Sequence, residues 1–227
     1  MTDLRLVVFD VDGTLVDSQK DILAAMTHAF GDAGLPVPNR EAILGIVGLS
    51  LEVAMPRLVP EADPVIHAKL VEGYKAAYFH LRKEGGVEKS SPFYPGAREM
   101  LEQLHGVPNI LLGVATGKSQ RGLDKLLEGH GLTSLFVTRQ VADHHPSKPH
   151  PSMLLTACSE TGVDPMHAVM IGDTSYDMDM ARAAGMPGIG VKWGYHTASQ
   201  LAAANILIDS YAELPKALDT VWETTDA

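Results

Sequence analysis

Two aspartates, separated by one residue, follow a short apolar segment near the start of the chain. The segment reads LRLVVFDVDGT, so Asp10 and Asp12 come directly after the apolar run Leu4–Phe9. A short apolar run that ends in Asp and Gly predicts a buried strand. Because alternate side chains of an extended strand point to the same side, we expect Asp10 and Asp12 to act together.

Polar side chains also follow the later apolar runs. Thr116 and Gly117 come after the second run, Asp173 and Asp177 come after a third, and Lys148 lies in a loop before a helical pattern. Ligands of open α/β sheets bind outside the carboxyl ends of the strands. We therefore expect these side chains to meet Asp10 and Asp12 at one edge of a sheet.

The chemistry of this set indicates a metal ion and a phosphoryl group. Carboxylates that converge repel one another and need a compensating charge. Mg²⁺ takes one or two carboxylates together with phosphate oxygens and waters. The Thr116 hydroxyl, the backbone N–H groups around Gly117 and the Lys148 ammonium suit phosphoryl oxygens. One carboxylate is then left to act as a nucleophile.

The pattern of elements that must position these residues alternates between strands and helices. Buried strands are predicted over residues 4–9, 110–115, 168–171 and 188–191, with weaker signals over 135–138 and 205–208. Helical patterns cover residues 96–104, 119–128, 152–161 and 176–184. This alternation predicts an α/β fold with a Rossmann-like, mostly parallel sheet.

One region interrupts the alternation. Residues 17–89 show helical patterns over 21–34, 40–46, 51–58 and 64–84, separated by Gly, Pro and Asn. We therefore predict a helical cap subdomain at 17–89. The α/β core would then be discontinuous and would comprise residues 1–16 and 90–227.

Composition limits the classes of function. The chain has 227 residues, a net charge of −10 and one cysteine, so an intrachain disulfide is excluded. An acidic chain is a poor non-specific ligand for nucleic acid. No apolar run is long enough to cross a bilayer, and no basic stretch followed by an apolar segment predicts a secretory signal. We expect a cytoplasmic protein, a monomer or a homodimer, that binds neither nucleic acid nor membrane.

Four short motifs resemble those of a known family, in the same order along the chain. They are DVDGT at 10–14, ATGKS at 115–119, SKPHP at 147–151 and GDTSYD at 172–177, and they resemble the motifs of the haloacid dehalogenase superfamily. GLSLE at 48–52 and WGYHT at 193–197 are similar to the phosphoglycolate phosphatase branch. The resemblance spans nearly the whole chain and implies an α/β core with a helical cap that closes over the site.

The resemblance implies roles for the three aspartates nearest the metal. Asp10 would be the nucleophile that forms an aspartyl-phosphate. The Asp10 carboxylate, the Asp12 backbone carbonyl and Asp173 would bind Mg²⁺. The Asp12 side chain would protonate the leaving alcohol and then deprotonate the attacking water.

The resemblance also implies which residues hold the phosphoryl group. Thr116 and Lys148 would bind its oxygens, with help from the backbone at Gly117. Asp177 would orient Lys148 or a metal-bound water. The cofactor implied is Mg²⁺, and the substrate implied is a small phosphorylated metabolite.

Each of these residues also has an ordinary structural interpretation. Thr116 could cap the helix that follows it, Lys148 could be a surface lysine, and Asp177 could complement a helix dipole. A histidine cluster in the loop DHHPSKPH could bind Zn²⁺ but lacks a suitably spaced fourth ligand, so a solvated loop is favoured. The cluster comprises His144, His145 and His150.

The leading functional hypothesis is a Mg²⁺-dependent phosphatase, with phosphoglycolate as the best single substrate. A phosphomutase of the β-phosphoglucomutase type is the alternative, although such enzymes place an arginine in or just after the cap loop. Here residues 46–56 contain none, and the first candidate is Arg57. Dehalogenase relatives lack the second aspartate, so Asp12 argues against that chemistry. A non-catalytic binding protein with the same fold is the third hypothesis.

Overall fold

The predicted α/β fold is confirmed by the sheet. The computed structural model describes residues 4–225, and within them six strands form one parallel sheet in the order β3-β2-β1-β4-β5-β6. The strands are β1 (Arg5–Phe9), β2 (Ile110–Thr116), β3 (Thr138–Val141), β4 (Ala168–Gly172), β5 (Gly188–Val191) and β6 (Ile206–Ile208).

Helices connect the strands and fill the space before β2. The first five in the described residues are α1 (Gln19–Ala33), α2 (Arg40–Leu44), α3 (Leu51–Leu58), α4 (Pro64–Gly85) and α5 (Val87–Ser90). A further helix, α6 (Ala97–His105), leads into β2. The others are α7 (Gln120–Gly129), α8 (Ser152–Thr161), α9 (Ser175–Ala183) and α10 (Leu214–Thr225). In the described part of the chain, no helix is both long and apolar enough to span a membrane.

The central strand β1 is buried on both faces from Leu6 to Phe9, which explains why these four residues are all apolar. Val7 and Phe9 face one layer of the core, whereas Leu6 and Val8 face the other. The first layer contains side chains from α6, α7 and α10, and the second contains side chains from α8 and α9. The two layers fix β1, and therefore the residues that follow it, between β2 and β4.

The helices α1 to α4 have a hydrophobic cluster of their own. Ile22, Met26 and Phe30 of α1 pack in this cluster with Leu70 and Val71 of α4. The two chain segments that join these helices to the sheet run side by side. The Asp17 amide donates to the Pro92 carbonyl at 2.8 Å. This arrangement suits the inserted helical cap expected from the sequence, and the role of these helices as a cap stays a prediction.

The structure corrects some element boundaries. The weaker strand signal over 135–138 was misplaced, because β3 comprises Thr138–Val141. The apolar residues before Thr138 placed the predicted strand too close to the N-terminus. The strand β3 itself carries the polar residues Arg139 and Gln140. As an edge strand, β3 pairs on one side with β2, so it does not need the continuous apolar pattern of a central strand. The helices α5 and α10 were not predicted.

Candidate active site

The strand ends bring the predicted site residues to one edge of the sheet. Phe9, the last residue of β1, lies opposite Val114 of β2 and Ile171 of β4. Asp10 therefore follows β1 close to the ends of both neighbouring strands. Thr116 is the last residue of β2, and Asp173 follows β4 directly.

Lys148 reaches this edge from the loop before α8. Its Nζ atom donates to Asp10 Oδ1 at 2.7 Å and to Asp177 Oδ1 at 2.6 Å. The lysine is 1% exposed, so it is not a surface residue. Although burial alone would lower it, the two carboxylates raise the pKa of Lys148 above its usual value. A charged ammonium therefore lies between two carboxylates in the interior.

Asp173 is held rigidly by two donors. The Thr14 hydroxyl donates to Oδ1 at 2.9 Å, and the Tyr195 amide donates to Oδ2 at 2.8 Å. Gly13 has φ +90°, and any Cβ atom there would overlap the Asp173 carboxylate. The glycine of the first motif is therefore required both by the backbone turn and by the close approach of Asp173.

Asp177 both contacts Lys148 and lies at the start of a helix, which are the two interpretations that the sequence left open. One of its oxygens binds Lys148, and the other accepts from the amide and hydroxyl of Thr174. The Thr174 hydroxyl in turn accepts from the Asp177 amide, so the pair forms a capping box at the start of α9. The cap fixes the carboxylate that holds Lys148.

These carboxylates form a group that fits a divalent cation. Ligand oxygens of Asp10, Asp173 and Asp177 lie within 4.8 Å of one another. Asp10 Oδ2 is buried and has no hydrogen-bond partner among the described residues. Three carboxylates with one lysine leave an excess negative charge, and oxygen donors suit a hard cation. The site therefore fits a divalent metal ion.

The burial of these carboxylates also favours a cation beside them. Burial, helped by the Asp177 charge and opposed by Lys148, raises the pKa of Asp10 to about 7. Burial and the neighbouring charges of Asp10 and Asp177 raise the pKa of Asp173 well above its ordinary value. A bound cation would offset this cost, because it favours the charged carboxylates.

The Asp12 side chain lies outside this group and pairs with Lys118. Lys118 Nζ is 2.7 Å from Asp12 Oδ2 and 3.3 Å from the hydroxyl of Tyr78 on α4. Asp12 Oδ1 is buried and has no partner among the described residues. The sequence hypothesis gave Asp12 a backbone contact to the metal, which this separate side-chain position allows. No role was predicted for Lys118, although its position in the ATGKS motif could have indicated one.

Thr116 does not cap the helix that follows it. The N-terminal cap of α7 is Ser119, whose hydroxyl accepts from the Gly122 amide. The Thr116 hydroxyl accepts from the Lys118 amide at 3.2 Å, and Thr116 itself lines the cavity beside Asp10. The capping interpretation of Thr116 is therefore wrong.

The zinc alternative, which the sequence did not favour, finds no support in the described residues. His145 lies within hydrogen-bond distance of Ser152 Oγ and Gln140 Oε1, each at 2.8 Å. His150 accepts from the Ser152 amide. The group that could hold a metal in this part of the chain is the aspartate cluster, and it contains no histidine.

A cavity of about 620 Å³ opens directly above Asp10. Its floor includes Asp10, Asp12 and Thr116, and its other walls come from α1, α3, α4, α7 and the loop at Gly48. A Cβ atom on Gly117 would lie 2.6 Å from the Gly48 carbonyl oxygen. The absence of a side chain at Gly117 therefore lets the loop before α3 close over the strand ends.

Comparison with known proteins identifies the family. The family model described as haloacid dehalogenase-like hydrolase matches residues 7–191. The chain belongs to this family, and the resemblance predicted from its motifs is confirmed. The enzyme class predicted from the sequence, a hydrolase of this family, is also confirmed.

Individual relatives match along almost their whole length. The probable phosphatase IndB of Dickeya dadantii is 40% identical over 92% of this chain and 91% of its own. A phosphoglycolate phosphatase of Vibrio parahaemolyticus is 29% identical over 93% of this chain and 95% of its own. The crystal structure of a predicted phosphatase from Clostridium acetobutylicum superimposes with a TM-score of 0.83 at 25% identity, covering 96% of this chain and all of its own.

Proposed function

We propose that this protein is a metal-dependent phosphomonoesterase in which Asp10 accepts the phosphoryl group. The observation that carries the proposal is the buried arrangement of Asp10, Lys148 and Asp177 beside Asp173. It leaves one Asp10 oxygen without a partner at the floor of a cavity. A carboxylate in this position can face both a cation and a phosphorus atom.

The reaction divides into two transfers. Asp10 attacks phosphorus, the bond to the leaving alcohol breaks, and Asp12 gives that alcohol a proton. Asp12 then takes a proton from water, which displaces Asp10 and releases phosphate. Lys148, Thr116 and the Gly117 amide hold the phosphoryl oxygens throughout. Positioning and charge stabilisation of this kind supply most of the catalysis in phosphoryl transfer.

Mg²⁺ is the ion that we propose for the site. The Asp10 and Asp173 carboxylates and the Asp12 backbone carbonyl would hold it, with Asp177 close by. When bound, it would neutralise charge between Asp10 and the incoming phosphoryl group. Thr14 and the Tyr195 amide would keep Asp173 in place as a ligand.

Hydrolysis is favoured over a mutase reaction by the position of Arg57. Its guanidinium donates to the Tyr176 hydroxyl at 3.2 Å and lies 5.4 Å from the centre of that ring. Arg57 is thus engaged at the junction of α3 and α9, away from the cavity walls formed by the described residues. It does not provide the anion site that a mutase needs for a second phosphoryl group.

The relatives make phosphoglycolate the first small metabolite to test. Phosphate release from phosphoglycolate and from p-nitrophenyl phosphate should require Mg²⁺ and should stop with a chelator. Asp10→Asn should lower kcat by about 1,000-fold or more, as expected when a nucleophile is removed. Asp209→Asn is the matched control, because Asp209 pairs with Lys192 at the surface. Equal activity of the two variants would contradict the proposal.

A further inference from the structure

The cavity above Asp10 has more room than a two-carbon substrate needs. It measures about 620 Å³. Even at the loose packing of liquid water, roughly 30 Å³ for each non-hydrogen atom, phosphoglycolate would occupy about 270 Å³. More than half of the cavity would then be left to water, beside walls that are mainly apolar.

The cavity walls are apolar away from the catalytic floor. The aliphatic side chains that line it come from α1, α3 and the loop between α2 and α3, and they include Ile22, Met26, Ile46, Val47, Leu49 and Ala54. Tyr74 and Tyr78 of α4 form the facing wall, with their rings stacked at 5.6 Å and 26°. Sites with such walls usually bind ligands through burial of apolar surface.

Two cations reach the inner walls of the cavity and have partners there, whereas Lys75, Lys83, Arg121 and Lys125 stand at its exposed rim. Lys118 pairs with Asp12, and the guanidinium of Arg82 donates to the Gly122 carbonyl and the Ser91 hydroxyl. A carboxylate on the leaving group would have to compete with these partners or remain unpaired in an apolar cavity, which is costly. The inner lining, away from the exposed rim, therefore favours an uncharged leaving group over an acidic one.

We propose that the natural leaving group is a bulky, uncharged alcohol that carries a ring. This inference rests on the phosphomonoesterase function proposed above and specifies its substrate class. The phosphoryl group would lie on Asp10, and the ring would lie between the tyrosine wall and the aliphatic wall near Ile46. A rigid ring fits this space because it fills the volume with few rotatable bonds to order.

A series of esters of primary alcohols tests the size of the leaving group without changing the reacting bond. We expect kcat/KM with Mg²⁺ to be about 10- to 100-fold higher for 2-phenylethyl phosphate than for ethyl phosphate. This gain in kcat/KM is the size expected when one phenyl group is buried in the cavity in the transition state. Phosphoglycolate should also fall below 2-phenylethyl phosphate.

The possible results separate this inference from the function on which it rests. A higher kcat/KM for phosphoglycolate or ethyl phosphate than for the phenyl ester would overturn the substrate class and leave the phosphatase function standing. If neither these esters nor p-nitrophenyl phosphate are hydrolysed with Mg²⁺, both the function and the inference fail.

Variants at Ile46 test whether the cavity itself sets the preference. Ile46→Phe fills part of the space, whereas Ile46→Val is the matched control and leaves it open. The ratio of kcat/KM between the phenyl and ethyl esters should fall about tenfold in Ile46→Phe, mainly through KM. It should change less than about twofold in Ile46→Val. Thermal unfolding checks that both variants fold, and an unchanged ratio in a folded Ile46→Phe would overturn the inference.

Discussion

At the scale of single residues, the site buries several charged side chains next to one another. Asp10, Asp173 and Asp177 are almost completely buried, and Lys148 is the cation that the described residues place among them. Burying an ion pair costs free energy, and removing one partner costs more, because the remaining charge is uncompensated. A protein retains such a cluster where a ligand of opposite charge completes it.

Removal of Lys148 should therefore destabilise the protein strongly. With a chelator at about pH 8, Lys148→Ala should lower the free energy of unfolding by about 3–5 kcal/mol, since Asp10 and Asp177 lose their shared partner. The control is Lys192→Ala, whose partner Asp209 is exposed, and the expected loss is about 0–1 kcal/mol. Denaturant unfolding measures both changes. Similar losses in the two variants would show that the buried lysine does not compensate the cluster.

The stability of the protein without metal should fall as pH rises, and Mg²⁺ should oppose this fall. Burial raises the pKa of Asp10 to about 7 from an ordinary value of 3.8, and it also raises that of Asp173. The folded state then holds protons that the unfolded state has released. Stability conferred by the protonated carboxyls is present at low pH and lost as pH rises through about 7.

The melting temperature measures this linkage. In chelator it should be higher at about pH 6 than at about pH 8. Mg²⁺ at about 100 times its Kd should raise it by about 5 to 10 °C at pH 8, and by less at pH 6, because proton and cation compete for the same carboxylates. Asp173→Asn should reduce the shift. A shift that is equal at both pH values would contradict a metal site at Asp10.

At the scale of elements, the sequence predicted the framework of the site well. The runs that became β1, β2, β4 and β5 were apolar because these strands are buried, and the polar residues at the ends of β1, β2 and β4 marked the site directly. The contact between Lys118 and Tyr78 could not be predicted, because it depends on how α4 lies over the strand ends. The cavity is equally a product of helix packing, which residue spacing does not reveal.

The contact between the end of β2 and the loop before α3 gives a prediction for Gly117. In Gly117→Ala the new Cβ would meet the Gly48 carbonyl oxygen at 2.6 Å, so this loop would have to move away from the phosphoryl site. We expect kcat/KM to fall about 10- to 100-fold, because small misplacements near reacting groups are costly.

A second glycine supplies the control for this contact. Gly31 lies inside α1 and has open space around its Cα atom, so Gly31→Ala should keep activity and gain up to about 1 kcal/mol of stability. Steady-state kinetics and thermal unfolding distinguish the two variants. Full activity of Gly117→Ala would show that the close approach to Gly48 is not needed for turnover.

At the scale of the whole molecule, an acidic protein presents a basic entrance. The net charge is −10, yet exposed cations stand at the rim of the cavity. They include Lys75, Lys83, Arg121 and Lys125, of which Lys75 and Lys125 pair with exposed glutamates. A local field of this kind can steer an anionic ester toward Asp10 although the chain as a whole repels it.

Steering predicts a dependence on salt. Raising the ionic strength from about 0.01 M to about 0.15 M shortens the Debye length from about 30 Å to about 8 Å and should lower kcat/KM for a dianionic ester. Arg121→Gln should reduce this dependence. Lys216→Gln, on the exposed face of α10 and away from the cavity, should leave it unchanged. Identical salt profiles for wild type and Arg121→Gln would rule out a role for this arginine.

The most direct test is to trap the phosphoryl group on the residue that receives it. Asp12→Asn lacks the base that activates water, so it should react once with p-nitrophenyl phosphate and then turn over about 100- to 10,000-fold more slowly than wild type. Acid quenching followed by peptide mass spectrometry should locate one phosphoryl group on Asp10. A phosphoryl group on any other residue, or unchanged turnover with no phosphoenzyme, would contradict the account.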